Sequence, residues 1–247
     1  MPNWVFNYLT IEGDSQSIAK VKQQLGKPFT VAIENRDMGD INAHGYPTKV
    51  KQIEYSNPVF AFHNIINYKD MGITDEEYAC QPTRSELEVN DPNWWADTER
   101  LRVIDKSWYS WNITNWGTKW DVAIANDDKY SDTEMTMDSA DTIGYRFNTA
   151  WDSPNPVIVK LSEQYPDLNI TLSYEEETGW GGETEYLAGD IISHSNYGWK
   201  CRECDHEEDD TPYCEECDFD TCPECGYNEA DEACEEHSEG HNAHLLN

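Results

Sequence analysis

TIGYRFNTAWDSPNPVIVKLSEQYPDLNITLSY, residues 142–174, reads as strand, helix, strand. From Thr142 to Trp151, Ile143, Tyr145, Phe147 and Thr149 alternate with smaller or polar neighbours, the period of a strand with one face in a core. Ser153-Pro154-Asn155-Pro156 then opens a helix through Val157, Ile158, Leu161 and Tyr165, and proline suits a first helical turn. Leu168, Ile170, Leu172 and Tyr174 restore the strand period. Downstream, Gly179 to Gly182 is a turn and Thr184 to Ile192 is a further strand.

Upstream the same units recur. Trp4 to Ile11 is rich in strand formers. Gly13-Asp14-Ser15 precedes a helix with Ile18, Val21 and Leu25 on one side, closed by Gly26 and Pro28. Val59 to Ile66 reads as a buried strand, and residues 67–107 as a polar, turn-rich insertion. The order is βαββαβ with one extra strand, so the expected fold is α+β, a ferredoxin-like sandwich with insertions.

Composition sets the outer limits. Hydrophobic residues are only 38% of the 247, but ten Trp and fourteen Tyr can bury a core. No run of about 18 apolar residues is present, and the first residues resemble no export signal. The expectation is a cytoplasmic protein of its host cell with no membrane contact. The net charge of −32 repels phosphates and anionic lipid, which argues against direct nucleic-acid binding. The acidity fits solubility, a salt-adapted host, or imitation of a polyanion. Residues 201–247 hold seventeen Asp and Glu against Arg202, and seven of the eight cysteines, which sets a boundary between 1–198 and an acidic module at 199–247.

Within 108–121, Trp108, Trp111, Trp116 and Trp120 are interleaved with Asn112, Asn115, Thr118, Lys119 and Asp121. The stretch reads either as an aromatic mini-core or as a pocket that stacks a flat base or sugar, with Lys119 as anion contact. His44, His63 and His194 are isolated and read as structural, and Cys80 as an inert thiol. Glu175-Glu176-Glu177 reads as a solvated strand end. No phosphate loop, nucleophile elbow or zinc-protease motif occurs, so the protein is expected not to be an enzyme.

Several segments together resemble a known family: Met1-Pro-Asn-Trp-Val with Asn7, Leu9-Thr-Ile and Gly13; Trp108-Tyr-Ser-Trp-Asn-Ile with Asn115-Trp-Gly-Thr-Lys-Trp-Asp121; Phe147-Asn-Thr-Ala-Trp with Pro154 and Pro156-Val-Ile; Tyr165-Pro-Asp-Leu; and Leu172 with Tyr174-Glu-Glu. They are similar to phage- and plasmid-borne proteins with a YubB ferredoxin-like domain, over most of 1–192 apart from the segments around 30–55 and 67–107. The resemblance implies the fold and a mobile-element setting, and supplies no catalytic residues.

The cysteines pair as Cys201-x2-Cys204, Cys214-x2-Cys217, Cys222-x2-Cys225 and Cys234-x2-His237, followed by His241-x2-His244. A Cys-x2-Cys turn places two thiolates on one edge of a tetrahedron, which suits Zn²⁺. Only four residues separate the second and third pairs, which favours interleaved use. Site one would be Cys201, Cys204, Cys222 and Cys225; site two would be Cys214 and Cys217 with two of Cys234, His237, His241 and His244. A single zinc at the first set is the alternative. Tyr213 to Cys225 and Gly240-His241-Asn-Ala-His244-Leu-Leu resemble the ZZ and C1-like zinc-finger families. That resemblance selects His241 and His244 for site two, with Cys234 and His237 competing. It also implies a basic protein or peptide as partner. The expectation is an acidic, zinc-binding interaction protein of a phage or mobile element, engaging a basic host protein for takeover or anti-defence. The alternative is a small-ligand, nucleotide or enzymatic domain using Trp108, Trp111, Asn112, Asn115, Trp116, Lys119 and Asp121.

Overall fold

The structure, a computed structural model, describes residues 3–35, 49–80, 106–123, 133–177 and 179–200, and the strand residues 207–208, 213–214 and 219–220. Its centre is a six-stranded sheet. Strand β1 (Trp4–Glu12) lies between β5 (Thr142–Ala150) and β6 (Asn169–Glu176), antiparallel to both. Strand β4 (Glu134–Asp138) borders β5, while β7 (Gly181–Leu187) and β8 (Asp190–Tyr197) extend the other side, giving the order β4-β5-β1-β6-β7-β8. Helix α1 (Ser15–Leu25) follows β1. Among the described residues, α2 (Asp75–Ala79) and α3 (Trp108–Trp116) come next, and α4 (Asn155–Gln164) connects β5 to β6 across β1. Taking β1, α1, β4, β5, α4 and β6 gives the ferredoxin-like unit in its spatial order, with a hairpin added at the β6 edge.

The sheet buries one face. Leu9 stands opposite Tyr145 and Leu172, and Ile11 opposite Ile143 and Ile170; these residues, with Val5 and Phe147, are buried. Helix α1 adds Ile18, Val21 and Leu25, and α4 adds Val157, Ile158 and Leu161. Asp14 caps α1 by accepting from the Gln16 and Ser17 N–H groups. A separate two-stranded sheet, β2 (Phe29–Glu34) with β3 (Val50–Tyr55), falls in the segment around 30–55 that the family resemblance left uncovered.

Two strand expectations need correction. Within Val59–Ile66, Phe60, Ala61, Phe62, His63 and Ile65 are buried as expected while Val59 is exposed, but the segment is irregular, with a 3₁₀ turn at Phe62–Asn64. Its N–H groups at Phe62 and His63 bind the Asp121 carboxylate instead of a strand neighbour, both at 2.9 Å. The second strand of the unit is β4, whose sequence EMTMD alternates polar residues with two Met at the sheet edge. Thr184–Ile192 is two strands rather than one: the chain turns at Ala188 and Gly189, both with positive φ (53° and 88°), and returns as β8. The described part of the 67–107 insertion contains a 3₁₀ turn at Tyr68–Met71 and α2.

Beyond β8, β9 (Trp199–Lys200) pairs with β10 (Glu207–Glu208), and β11 (Tyr213–Cys214) pairs with β12 (Phe219–Asp220). Of the expected zinc ligands, Cys214 has its backbone in β11. Cys201, Cys204, Cys217, Cys222, Cys225, Cys234, His237, His241 and His244 lie outside the described residues, as does His44.

Candidate functional site

The tryptophan motif folds as α3 followed by a tight loop. Residues Trp108, Trp111, Asn112 and Trp116 recur at helical spacing, and Gly117 ends the helix in the left-handed region at φ 82°. Trp111 and Trp116 are buried, 5.3 Å apart and edge to face, and the Trp116 indole N–H donates to the Ile66 carbonyl at 3.1 Å. Asn115 turns back on its own helix and donates to the Trp111 carbonyl. Much of the motif is therefore core.

The rest borders a cleft of about 520 Å³. Trp108, Asn112, Trp116, Trp120 and Asp121 line one side, and β2 and β3 supply the other through Phe29, Val31, Ile33 and Tyr55. Of the expected pocket residues, Trp108, Asn112, Trp116 and Asp121 reach the cleft; Trp111, Asn115 and Lys119 are not among its lining residues. Sequence reasoning missed the hairpin wall, His63 and Tyr78; Trp120, part of the tryptophan stretch read as core or pocket, also lines the cleft. The β-forming runs FTVAIE and VKQIEY were the available signal for the hairpin.

Three rings stack along one wall. Phe29 lies 4.6 Å from Tyr55 at 7° and 4.3 Å from His63 at 13°. Tyr68 and Tyr78 stack at 3.9 Å behind it. The polar groups serve the scaffold. The Tyr78 hydroxyl donates to Asn112 Oδ1, and Asn112 Nδ2 donates to the Lys119 carbonyl, both at 2.9 Å. Asp121 accepts from the N–H groups of Phe62, His63, Val122 and Ala123 at 2.7–3.1 Å. Burial pushes its pKa up, and these four donors oppose the rise.

His63 is held neutral. Burial, aided by the Lys69 charge, brings its pKa down to about 4. Asn67 Oδ1 accepts the Lys69 N–H, so its Nδ2 faces His63 Nε2 at 2.9 Å. Nε2 is then the acceptor, and the ring proton sits on Nδ1. The cleft therefore offers flat aromatic faces, a neutral imidazole, and the charges of Glu34 and Lys51. That arrangement stacks a planar molecule.

Lys119 has its own surroundings. Its Nζ lies 4.4 Å from the Trp120 ring centre, 4.9 Å from Trp151, 5.7 Å from Tyr109 and 6.0 Å from Trp108. Thr118 clips this loop to the end of β5: its hydroxyl donates to the Ala150 carbonyl at 3.0 Å and accepts the Ala150 N–H at 3.1 Å. Trp151 follows in the left-handed region at φ 70°, a strained setting for a bulky residue.

Among the described residues, no group of three His, Cys, Asp or Glu could hold a metal ion, and no helix is long and apolar enough to cross a membrane.

Compared with known proteins, residues 119–235 match the family described as the ferredoxin-like domain in Api92-like protein. The matched region runs from the Lys119 loop through β8 and into the cysteine-rich stretch. The chain is also similar to a solved structure, the protein api92 from Yersinia pseudotuberculosis. Identity there is 11%, the alignment covers 81% of this chain and 100% of that one, and the TM-score is 0.41. No curated protein matches.

Proposed function

We propose that the protein is a binding protein whose ferredoxin-like domain holds a small, planar, largely uncharged molecule of nucleobase size in the aromatic cleft. One observation carries this reading: the cleft is walled by the Tyr55–Phe29–His63 stack and by Trp108, Trp116 and Trp120, while its interior Asn112 and Asp121 are committed to scaffold bonds. A volume of about 520 Å³ suits such a ligand. With His63 neutral and Asp121 bound by backbone, the cleft favours binding over acid–base chemistry. Titration with nucleosides and free bases should quench tryptophan fluorescence saturably, and Trp108→Ala or Tyr55→Ala should weaken binding by about tenfold or more. A flat response to every planar probe would overturn the reading.

A second reading concerns residues 199–247. We propose that they form an acidic module organised by Zn²⁺, two ions in the interleaved arrangement, in a phage or mobile-element protein that engages a basic host protein in the cytoplasm. The pairing of β9 with β10 supports it, because the six residues between them include Cys201 and Cys204. The β11–β12 pair likewise begins at the Cys214-x2-Cys217 step. A Cys-x2-Cys step presents two thiolates to a tetrahedral ion, and the all-sulfur and sulfur–nitrogen donor sets fit zinc. The metal would substitute for the core that so polar a segment lacks. Metal content of the native protein by mass spectrometry tests this. Two zinc ions per chain are expected, one would reduce the site to Cys201, Cys204, Cys222 and Cys225, and none would overturn it.

A further inference from the structure

We infer that the sheet face left open among the described residues is a docking surface for a cationic, arginine-bearing protein segment. This inference goes beyond the cleft reading and uses neither the cleft nor the metal. The helices cover the face that carries Val5, Leu9 and Ile11. On the opposite face β1 presents Phe6 and Tyr8, which are 38% and 49% exposed at the middle of the sheet. Aromatic rings on a central strand are ordinarily covered, and such exposure marks a contact surface.

Charge decides the partner. The strands that share this face bring Glu134, Glu175, Glu183 and Glu185 to it, all exposed. Against them stands Arg146, which is already paired with Glu134 at 3.2 Å. The register puts Glu175 directly beside Phe6, and Arg146 and Ser173 beside Tyr8. Neighbouring strands are about 4.8 Å apart, so a guanidinium laid flat on the Phe6 ring can reach the Glu175 carboxylate with its N–H fork. An ammonium ion can do one or the other, but lacks the planar fork to do both. A polyanion is repelled by the same carboxylates.

The test uses the full chain and two labelled peptides, one alternating Arg with Gly and the other Lys with Gly. At physiological salt, fluorescence anisotropy should show the Arg peptide bound at least about threefold more tightly. Phe6→Ala with Tyr8→Ala leaves the net charge untouched, so it separates the face from general acidity. It should weaken the Arg peptide by about tenfold and leave nucleoside quenching and zinc content as they were. Should that variant fold poorly, Phe6→Leu with Tyr8→Leu retains apolar bulk while removing the rings, and the same loss is expected. Glu175→Gln should weaken the Arg peptide and reduce the salt dependence of binding. Unchanged affinity in the ring variants overturns the inference, because the peptide is then held by the acidic chain at large. Equal binding of both peptides, or preference of this face for an oligoribonucleotide or a neutral oligosaccharide, overturns it as well.

Discussion

At Asp121 the four backbone N–H groups that meet one carboxylate come from two separate segments, 62–63 and 122–123. Replacing the side chain with alanine leaves these donors without their acceptor, and buried unpaired donors cost about 1–3 kcal/mol each where water cannot reach them. Asp121→Ala should therefore lower the urea midpoint strongly, by a total of roughly 3 kcal/mol or more. Asp121→Asn retains one acceptor oxygen and should fall between. At His63 the prediction concerns pH. Its pKa is depressed from 6.5 to about 4, so the unfolded chain binds the proton more tightly than the folded one. Stability from this residue is complete above about pH 6.5 and is lost as pH falls toward 4, by roughly 3 kcal/mol in full. Between pH 4 and 7, the unfolding free energy of the protein should fall by about that much more than that of the less acid-sensitive His63→Phe variant. The tryptophan motif made Asp121 visible as a candidate, because aromatic and polar residues crowd there. Nothing in sequence marked His63, since its role depends on Phe29, Asn67 and Lys69 arriving from different elements.

Helix α3 is held at both its ends by neighbours remote in sequence, and Gly117 shows how closely. A β-carbon there would lie 2.5 Å from Pro156 Cδ, at the start of α4, besides occupying positive φ. Gly72 also has positive φ, at 74°, with no atom within 4 Å of that position. Gly72→Ala should thus cost about 1 kcal/mol, the conformational part alone, and Gly117→Ala clearly more. Chemical denaturation of the two variants separates the clash from the dihedral. Elements with strong periodicity, β1, α1, β5, α4 and β6, were legible because each buries one face and repeats its apolar residues accordingly. Strand β4 was not, because it is five residues long at a sheet edge, and of its two alternating Met, Met135 packs against the core while Met137 is exposed. The apolar run of Val59–Ile66 misled for a different reason: burial of Phe60, Ala61, Phe62 and Ile65 gives the same composition whether the backbone is laddered or capped by a carboxylate. The cleft was half legible, as α3 announced itself while the opposing β2–β3 wall became relevant only through tertiary placement.

Across the whole molecule, −32 charges spread over 247 residues repel one another in the compact state. Raising salt from about 0.02 to 0.2 M shortens the screening length several-fold and should raise the melting temperature. A fall would contradict the repulsion argument. Chelation acts on a different part. The ferredoxin-like sheet carries its own apolar core, so a chelator should abolish structure in 199–247 and leave the unfolding of the sheet within a few degrees of its starting value. A single cooperative loss of both would show that the C-terminal segment supports the sheet. The division of acidity and cysteine at residue 200 was plain in sequence; the matched family region runs through it, from 119 to 235.

The central position of β1 has a consequence for the protein's birth. This strand leaves the ribosome well before its hydrogen-bonding neighbours, Thr142–Ala150 and Asn169–Glu176. At about 5–20 residues per second, the nascent chain must carry Val5, Leu9 and Ile11 unpaired for on the order of 10 to 30 seconds before both flanks emerge. Contacts so distant along the chain make for slow folding, and a translation product halted near residue 130 would hold a sheet centre with no sheet around it. Such arrested chains should be captured by chaperones that bind exposed apolar strands, and chains released past residue 176 should escape them.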